Sequence, residues 1–148
     1  KWFSEAGNFF GTFFFMLEKK YPPFSEFSII NPIIISKVIK KYCKNKKLSL
    51  KWPNDILIGK EKVCGILQEV ITFNKNEYLI IGVGINIISS PHIKKKYKTT
   101  SIFEKTGKKP SINEIANLLV KSYKNFFNNI NSYNFINYKK KADLMAVK

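Results

Sequence analysis

Residues 48–87 carry the clearest pattern of the chain. Leu48 to Trp52 alternates apolar and polar positions, the period of a half-buried strand, and Trp52 is expected to face the core. Pro53 has no N–H to give a neighbour and ends the pairing. Ile56 to Ile58 and Lys62 to Thr72 read as two strands joined by a tight turn at Gly59-Lys60. Asn74-Lys75-Asn76 marks the next turn and Tyr78 to Ile87 the next strand, so this stretch predicts an antiparallel meander. Upstream, Asn8 to Leu17 is apolar at nearly every position, as in a strand buried on both faces, with Gly11 marking a bulge or a close approach.

The remaining segments alternate loops and helices. Tyr21-Pro22-Pro23 is a loop, and Pro32 fits the first turn of a helix running to about Cys43. Ile33, Ile34, Val38 and Ile39 give that helix one apolar stripe, and the lysines from Lys40 to Lys47 suit its C-terminal dipole end. Residues 88–109 read as a polar loop. Ser111 and Glu114 form a capping box that opens a helix to about Asn129, with Ile115, Leu118, Leu119, Ser122 and Phe126 on its apolar face. A shorter helix follows from about Asn134 to Lys141. The expected class is α+β: a mixed, largely antiparallel sheet flanked by helices.

Composition narrows this picture. At 148 residues the chain can bury a proper single core. Mean hydropathy is −0.17, and no apolar run approaches the roughly 18 residues that span a bilayer, so no membrane association is expected. The N-terminal residues lack the basic, apolar and small-residue segments of a secretory signal. The first residue is not Met, which suggests part of a longer protein. The end, Asp143 to Lys148, reads as a strand just opening. The expected division is therefore a main domain over 1–141 and the start of a further β-rich domain over 142–148. Cys43 and Cys64 have no ligand-spaced neighbours and read as buried free thiols of a reducing cytoplasm; no metal site is expected.

The net charge of +16 invites a nucleic-acid reading, but every cation is Lys. The chain is also rich in Ile, Asn, Phe and Tyr, which A/T-rich codons produce without selection for binding. Sequence readers lean on bidentate Arg, so a nucleic-acid partner is not expected. Acidic proteins and phosphate-bearing ligands fit the field better.

Candidate chemistry gathers in three places. Lys51-Trp52-Pro53-Asn54-Asp55 packs a cation, an aromatic, a backbone lock, an amide and a carboxylate into adjacent positions. Asn54-Asp55 alone would be an ordinary Asx turn; beside a lysine hairpin it reads as a rigidly aimed polar set. Lys62 follows the Gly59 turn, with Gly65 in an otherwise bulky strand. A strand glycine costs stability unless something must come close, so an anionic ligand over Gly65 with Lys62 at its charge is the functional reading. Strict alternation sets Lys62 and Gly65 on opposite faces, and a bulge is one way to reconcile them. In Gly82-Val83-Gly84-Ile85-Asn86, two glycines share a face and leave a groove, while Asn86 offers an amide edge suited to adenine. The run lacks the third glycine and following helix of a dinucleotide fingerprint. Glu69 lies in the strand near this set, and His92 stands in a polar loop with no cluster around it.

Taken in order, Lys51 to Asp55, then Lys62-Val63-Cys64-Gly65-Ile66-Leu67-Gln68-Glu69, then Gly82 to Asn86 resemble the catalytic domain of the biotin–protein ligases. Lys1-Trp2-Phe3-Ser4 with Gly7-Asn8 resembles the segment that follows that family's adenylate loop. The resemblance spans most of residues 1–87. It implies the class II aminoacyl-tRNA synthetase and biotin-ligase type of fold. It implies an ATP-dependent ligase that forms biotinyl-AMP and transfers biotin to a lysine of a biotin carboxyl carrier protein. Mg²⁺ would accompany the ATP, and a homodimer stays open. By resemblance Lys62 meets the biotin carboxylate and phosphate, and Lys51 adds positive charge. Asn54 and Asn86 face adenine and Trp2 covers it. Gly65, Leu67, Gly82, Val83 and Gly84 shape the biotin pocket, and Asp55 holds or deprotonates the acceptor lysine. The family's arginine-rich loop and ring-gripping segment would precede Lys1, so residues 1–148 alone are expected to activate biotin poorly. The competing readings are a lipoate or octanoate ligase or transferase of the same fold, a basic nucleic-acid-binding module, and a catalytically dead interaction domain.

Overall fold

The computed structural model describes residues 5–91 and 98–147. Trp2 and His92, both weighed above, lie outside the described residues, as do the rest of 1–4, 92–97 and 148. Five strands form one antiparallel sheet: β1 (Phe9–Met16), β2 (Leu48–Lys51), β3 (Asp55–Ile58), β4 (Glu61–Phe73) and β5 (Asn76–Ile85), in the order β1-β5-β4-β3-β2. The meander from β2 to β5 is the expected one. Its turns are built by residues that accept positive φ: Gly59 at +63°, and Asn74 and Lys75 at +48° and +64°.

Helices cover one face only. They are α1 (Phe27–Lys40), α2 (Ile102–Thr106), α3 (Ile112–Asn128) and α4 (Phe135–Met145). Ile56, Cys64, Ile66, Leu79, Ile81, Val83 and Ile85 alternate onto that face and are buried. Phe13 and Phe15 of β1 stack there on Tyr123, with Phe15 also meeting Phe27 and Phe127. The opposite face stays open. Among the described residues, no helix is long and apolar enough to cross a membrane.

The structure differs from the sequence reading at several points. β1 is an edge strand, not one buried on both faces; Phe14 is 73% exposed because its side of the sheet carries no helix. Gly11 is a close approach rather than a bulge, since β1 pairs with β5 without interruption and a Cβ there would fall 2.6 Å from the Phe9 ring. α1 starts at Phe27, so Pro32 sits inside it, and the expected single stripe is instead burial nearly all round. α1 packs on the sheet and also against both α3 and α4, so most of its sides must be apolar. Trp52 is 66% exposed, not in the core. The strand ends at Lys51, so alternation no longer aims the next side chain.

Residues 102–106 form α2, read above as loop; Ser101 and Glu104 make its full capping box. In α3, Ser111 caps Glu114 N–H, but the Glu114 carboxylate accepts from Tyr42 instead of closing the box. Tyr123, not Ser122, is buried on its inner face. α4 starts where expected, and the Asn134 side chain caps it by accepting from Asn137 N–H. Residues 142–145 are its last turn rather than an opening strand, and Ala146 then pairs parallel with Leu50 at the β2 edge.

Candidate functional site

A β-bulge decides which residues meet. Asp55 pairs with Gly65 and Ile56 with Cys64, but Leu57 pairs with Lys62, so Val63 is the extra residue. The bulge shifts the parity of β4 and brings Lys62 to the face that holds Asp55 and Gly65. Lys62 Nζ then stands 2.6 Å from Asp55 Oδ1, with the side chains 37% and 20% exposed. Oδ1 is buried and makes no hydrogen bond of ordinary geometry, so the ammonium is what neutralises it. Beyond the bulge, Lys62 N–H donates to Lys98 C=O and Thr100 N–H donates to Lys62 C=O, each at 2.9 Å. Residues 98–100 thus take the edge of β4 that β5 leaves.

Lys51 lies directly across the β2–β3 turn from Asp55, on the same open face. Lys62 and Lys51 both neighbour Asp55, the first through an ion pair and the second through strand pairing. The turn between them, Trp52-Pro53-Asn54, has a cis Trp52–Pro53 peptide.

One row crosses the open face as Asp55, Gly65, Gly84 and Phe10. Two glycines in register leave bare backbone over much of the roughly 14 Å from β3 to β1. The next row is Leu67, Gly82 and Thr12, and the third is Glu69, Ile80 and Phe14. A groove of about 630 Å³ opens over the second and third rows and reaches Phe10 of the first, lined by Phe10, Thr12, Leu67, Glu69, Ile80 and Gly82 among others. That is the size of a vitamin-scale ligand. Val83 contributes only backbone, because its side chain is in the core.

The two carboxamides are placed apart. Asn54 C=O accepts from Ile66 N–H and Asn86 N–H donates to Val63 C=O, both at 2.9 Å, on opposite edges of β4. The Asn86 amide donates to Thr100 C=O at 3.0 Å. The structure therefore brings Lys51, Asp55, Lys62, Gly65 and Gly84 together, sets Leu67 and Gly82 in the adjoining row, and does not bring Asn54 and Asn86 to one point. Sequence reasoning missed Phe10 and Thr12 in the groove. Their signal is register alone, since they sit opposite the two glycines of β5.

Cys64 and Cys43 are buried and free, and burial pushes both thiols up from their ordinary range. Among the described residues no three acidic, His or Cys side chains gather as a metal group.

An antiparallel sheet with helices on one face and, on the other, a groove next to the Lys62–Asp55 pair defines a domain of the class II synthetase type. The chain belongs to the Biotin/lipoate A/B protein ligase family, which matches it over residues 1–86. It is 33% identical over 89 residues to the bifunctional ligase/repressor BirA of Escherichia coli, covering 59% of this chain and 27% of that protein. It is 28% identical over 93 residues to the biotin–[acetyl-CoA-carboxylase] ligase of Paracoccus denitrificans, covering 62% and 39%. Among solved structures, biotin protein ligase from Aquifex aeolicus in complex with biotin and ATP superposes with a TM-score of 0.77 at 26% identity, covering 99% of this chain and 61% of that one. The matched region thus spans under two fifths of those two curated relatives.

Proposed function

We propose that this chain is the central part of an ATP-dependent biotin–protein ligase. The observation that carries the reading is the bulge-aligned Lys62–Asp55 pair, with Lys51 opposite Asp55 in the ladder, on the sheet face that also carries the groove. In the first step a biotin carboxylate oxygen attacks the α-phosphorus of ATP; the α–β P–O bond breaks and pyrophosphate leaves. Charge accumulates on phosphoryl oxygens, and fixed ammonium groups stabilise it. Lys62 serves the carboxylate and phosphate and Lys51 adds field. Mg²⁺ enters with ATP as the counter-ion of its phosphates.

In the second step an acceptor lysine amine attacks the acyl carbon, the C–O bond to AMP breaks, and AMP leaves. Asp55 first aims the Lys62 ammonium, and then takes the proton that the amine loses. Leu67, Gly82, Gly84, Gly65 and the Val83 backbone shape the vitamin end. Asn86, Asn54 and Trp2 serve the nucleotide end. The acceptor is a biotin carboxyl carrier domain, and the buried free thiols suit a reducing cytoplasm.

The test is binding of biotin, lipoate and a non-hydrolysable biotinyl-adenylate mimic by calorimetry and thermal shift. Selective stabilisation by the mimic, with biotin preferred over lipoate, is the expected result. Preference for lipoate would move the protein to the lipoate branch of the family. No shift with any of the three would leave an interaction domain without catalysis.

A further inference from the structure

We propose that Asn8 is a positioning residue, which sets the nucleotide end of the site by clamping the chain just beyond Asn86. The inference rests on the ligase reading above and extends it to a residue with no assigned role. Asn8 precedes β1 and is only 5% exposed. Its Oδ1 accepts from the N–H groups of Ile87, Ile88 and Ser89 at 2.8, 3.0 and 3.3 Å. Its Nδ2 donates to Ser89 C=O at 3.0 Å.

The backbone accounting of residues 86–89 closes around this side chain. Asn86 N–H goes to Val63. The carbonyls of Asn86 and Ile87 accept from Ile102 and Phe103 N–H, and the Ile88 carbonyl accepts from Ser101 Oγ. Asn8 takes the remaining four of the eight groups. One short amide therefore replaces a missing strand partner where β5 has ended, and α2 holds the other side. Glu5 adds a hydrogen bond from Ser89 Oγ.

Asn86 is thus fixed between its β4 bond and a clamp that starts one residue later. Only a side chain with both an acceptor and a donor at this length completes the set. Losing it frees one buried and two partly buried N–H groups and lets the segment that follows Asn86 drift, with no change to Lys62, Gly65 or the groove floor.

The test compares wild type, Asn8→Ala and Asn8→Asp in the full 148-residue chain. Hydrogen exchange reads the amides of Ile87, Ile88 and Ser89, and calorimetry reads biotin and the biotinyl-adenylate mimic. Asn8→Ala is expected to speed exchange at those amides and to weaken the mimic about tenfold or more, with biotin changed less than about twofold. Asn8→Asp keeps the acceptor and loses the donor, so it should fall between. Should Asn8→Ala fail to fold, the mimic-to-biotin split in Asn8→Asp decides. Equal losses for both ligands, or an unchanged mimic affinity, overturn the proposal. A wild-type chain that binds neither compound overturns the ligase reading and this inference with it.

Discussion

Replacing Lys62 with Met removes the ammonium and keeps most of the stem. Asp55 Oδ1 is buried and has Lys62 Nζ at 2.6 Å. An exposed pair contributes about 0–1 kcal/mol, whereas breaking a buried pair costs about 3–5 kcal/mol. This pair is intermediate, and the partial exposure of Lys62 screens it, so Lys62→Met should cost about 1–3 kcal/mol. With a urea slope of about 2 kcal/mol/M, the midpoint falls by roughly 0.5–1.5 M. Adding Asp55→Asn removes the orphaned charge and should restore most of that loss. Ligand binding behaves differently: both variants should hold the adenylate mimic about tenfold to a hundredfold more weakly, because neither has the cation. Stability comes back in the double variant and affinity does not. If Lys62→Met shifts neither midpoint nor affinity, or if Asp55→Asn brings no recovery, the pair is not the centre of the site.

Three other perturbations probe different links. A Cβ at Gly82 would meet Leu67 Cβ at 3.7 Å, an ordinary contact. Gly82→Ala should therefore leave the fold as stable or firmer by about 0.5 kcal/mol, while raising the Kd for biotin severalfold by filling the groove floor; unfolding curves and calorimetry separate the two. Tyr123 OH donates to Asn31 Oδ1 at 3.0 Å, and Asn31 Nδ2 donates to Gln68 Oε1 at 2.9 Å, a buried bridge from α3 through α1 to β4. Tyr123→Phe leaves Asn31 short of a donor and should cost about 1–2 kcal/mol in thermal unfolding, with the mimic's affinity unchanged. Burial holds the Cys64 thiol and the Tyr123 hydroxyl above their ordinary values. The folded state keeps these protons where the unfolded state loses them. Stability should be full at neutral pH and decline as pH rises beyond about 9, measured by urea titration at pH 7 and pH 10; a flat profile would show the groups titrate freely.

Local rules reached far into this chain. Alternation and turn residues placed β2 to β5 within a few positions, because strand pairing across a two-residue turn is decided by neighbours. Ser111 announced its helix for the same reason. α2 carried an equally local signal in Ser101 and Glu104, hidden inside a polar lysine-rich stretch. The start of α1 was not legible: Pro32 looked like a first turn, and only packing on both sides makes a helix through it worthwhile.

The sequence by itself determined that three motifs of the right residue types exist, in an order and spacing that identify a family. It also determined the meander that carries them, since side-chain period and turn chemistry are properties of adjacent residues. What only the tertiary structure decided is which of those residues share a face. A single extra residue at Val63 reverses the parity of β4 and puts Lys62 beside Asp55. The helices cover one side of the sheet, so the other side keeps its groove, and Trp52 turns to solvent where its strand stops. Pairing of β1 with the distant β5 sets Phe10 against Gly84, and the residue before β1 sets its amide against Ile87. Such contacts depend on long-range register, which no local pattern of apolar and polar residues encodes.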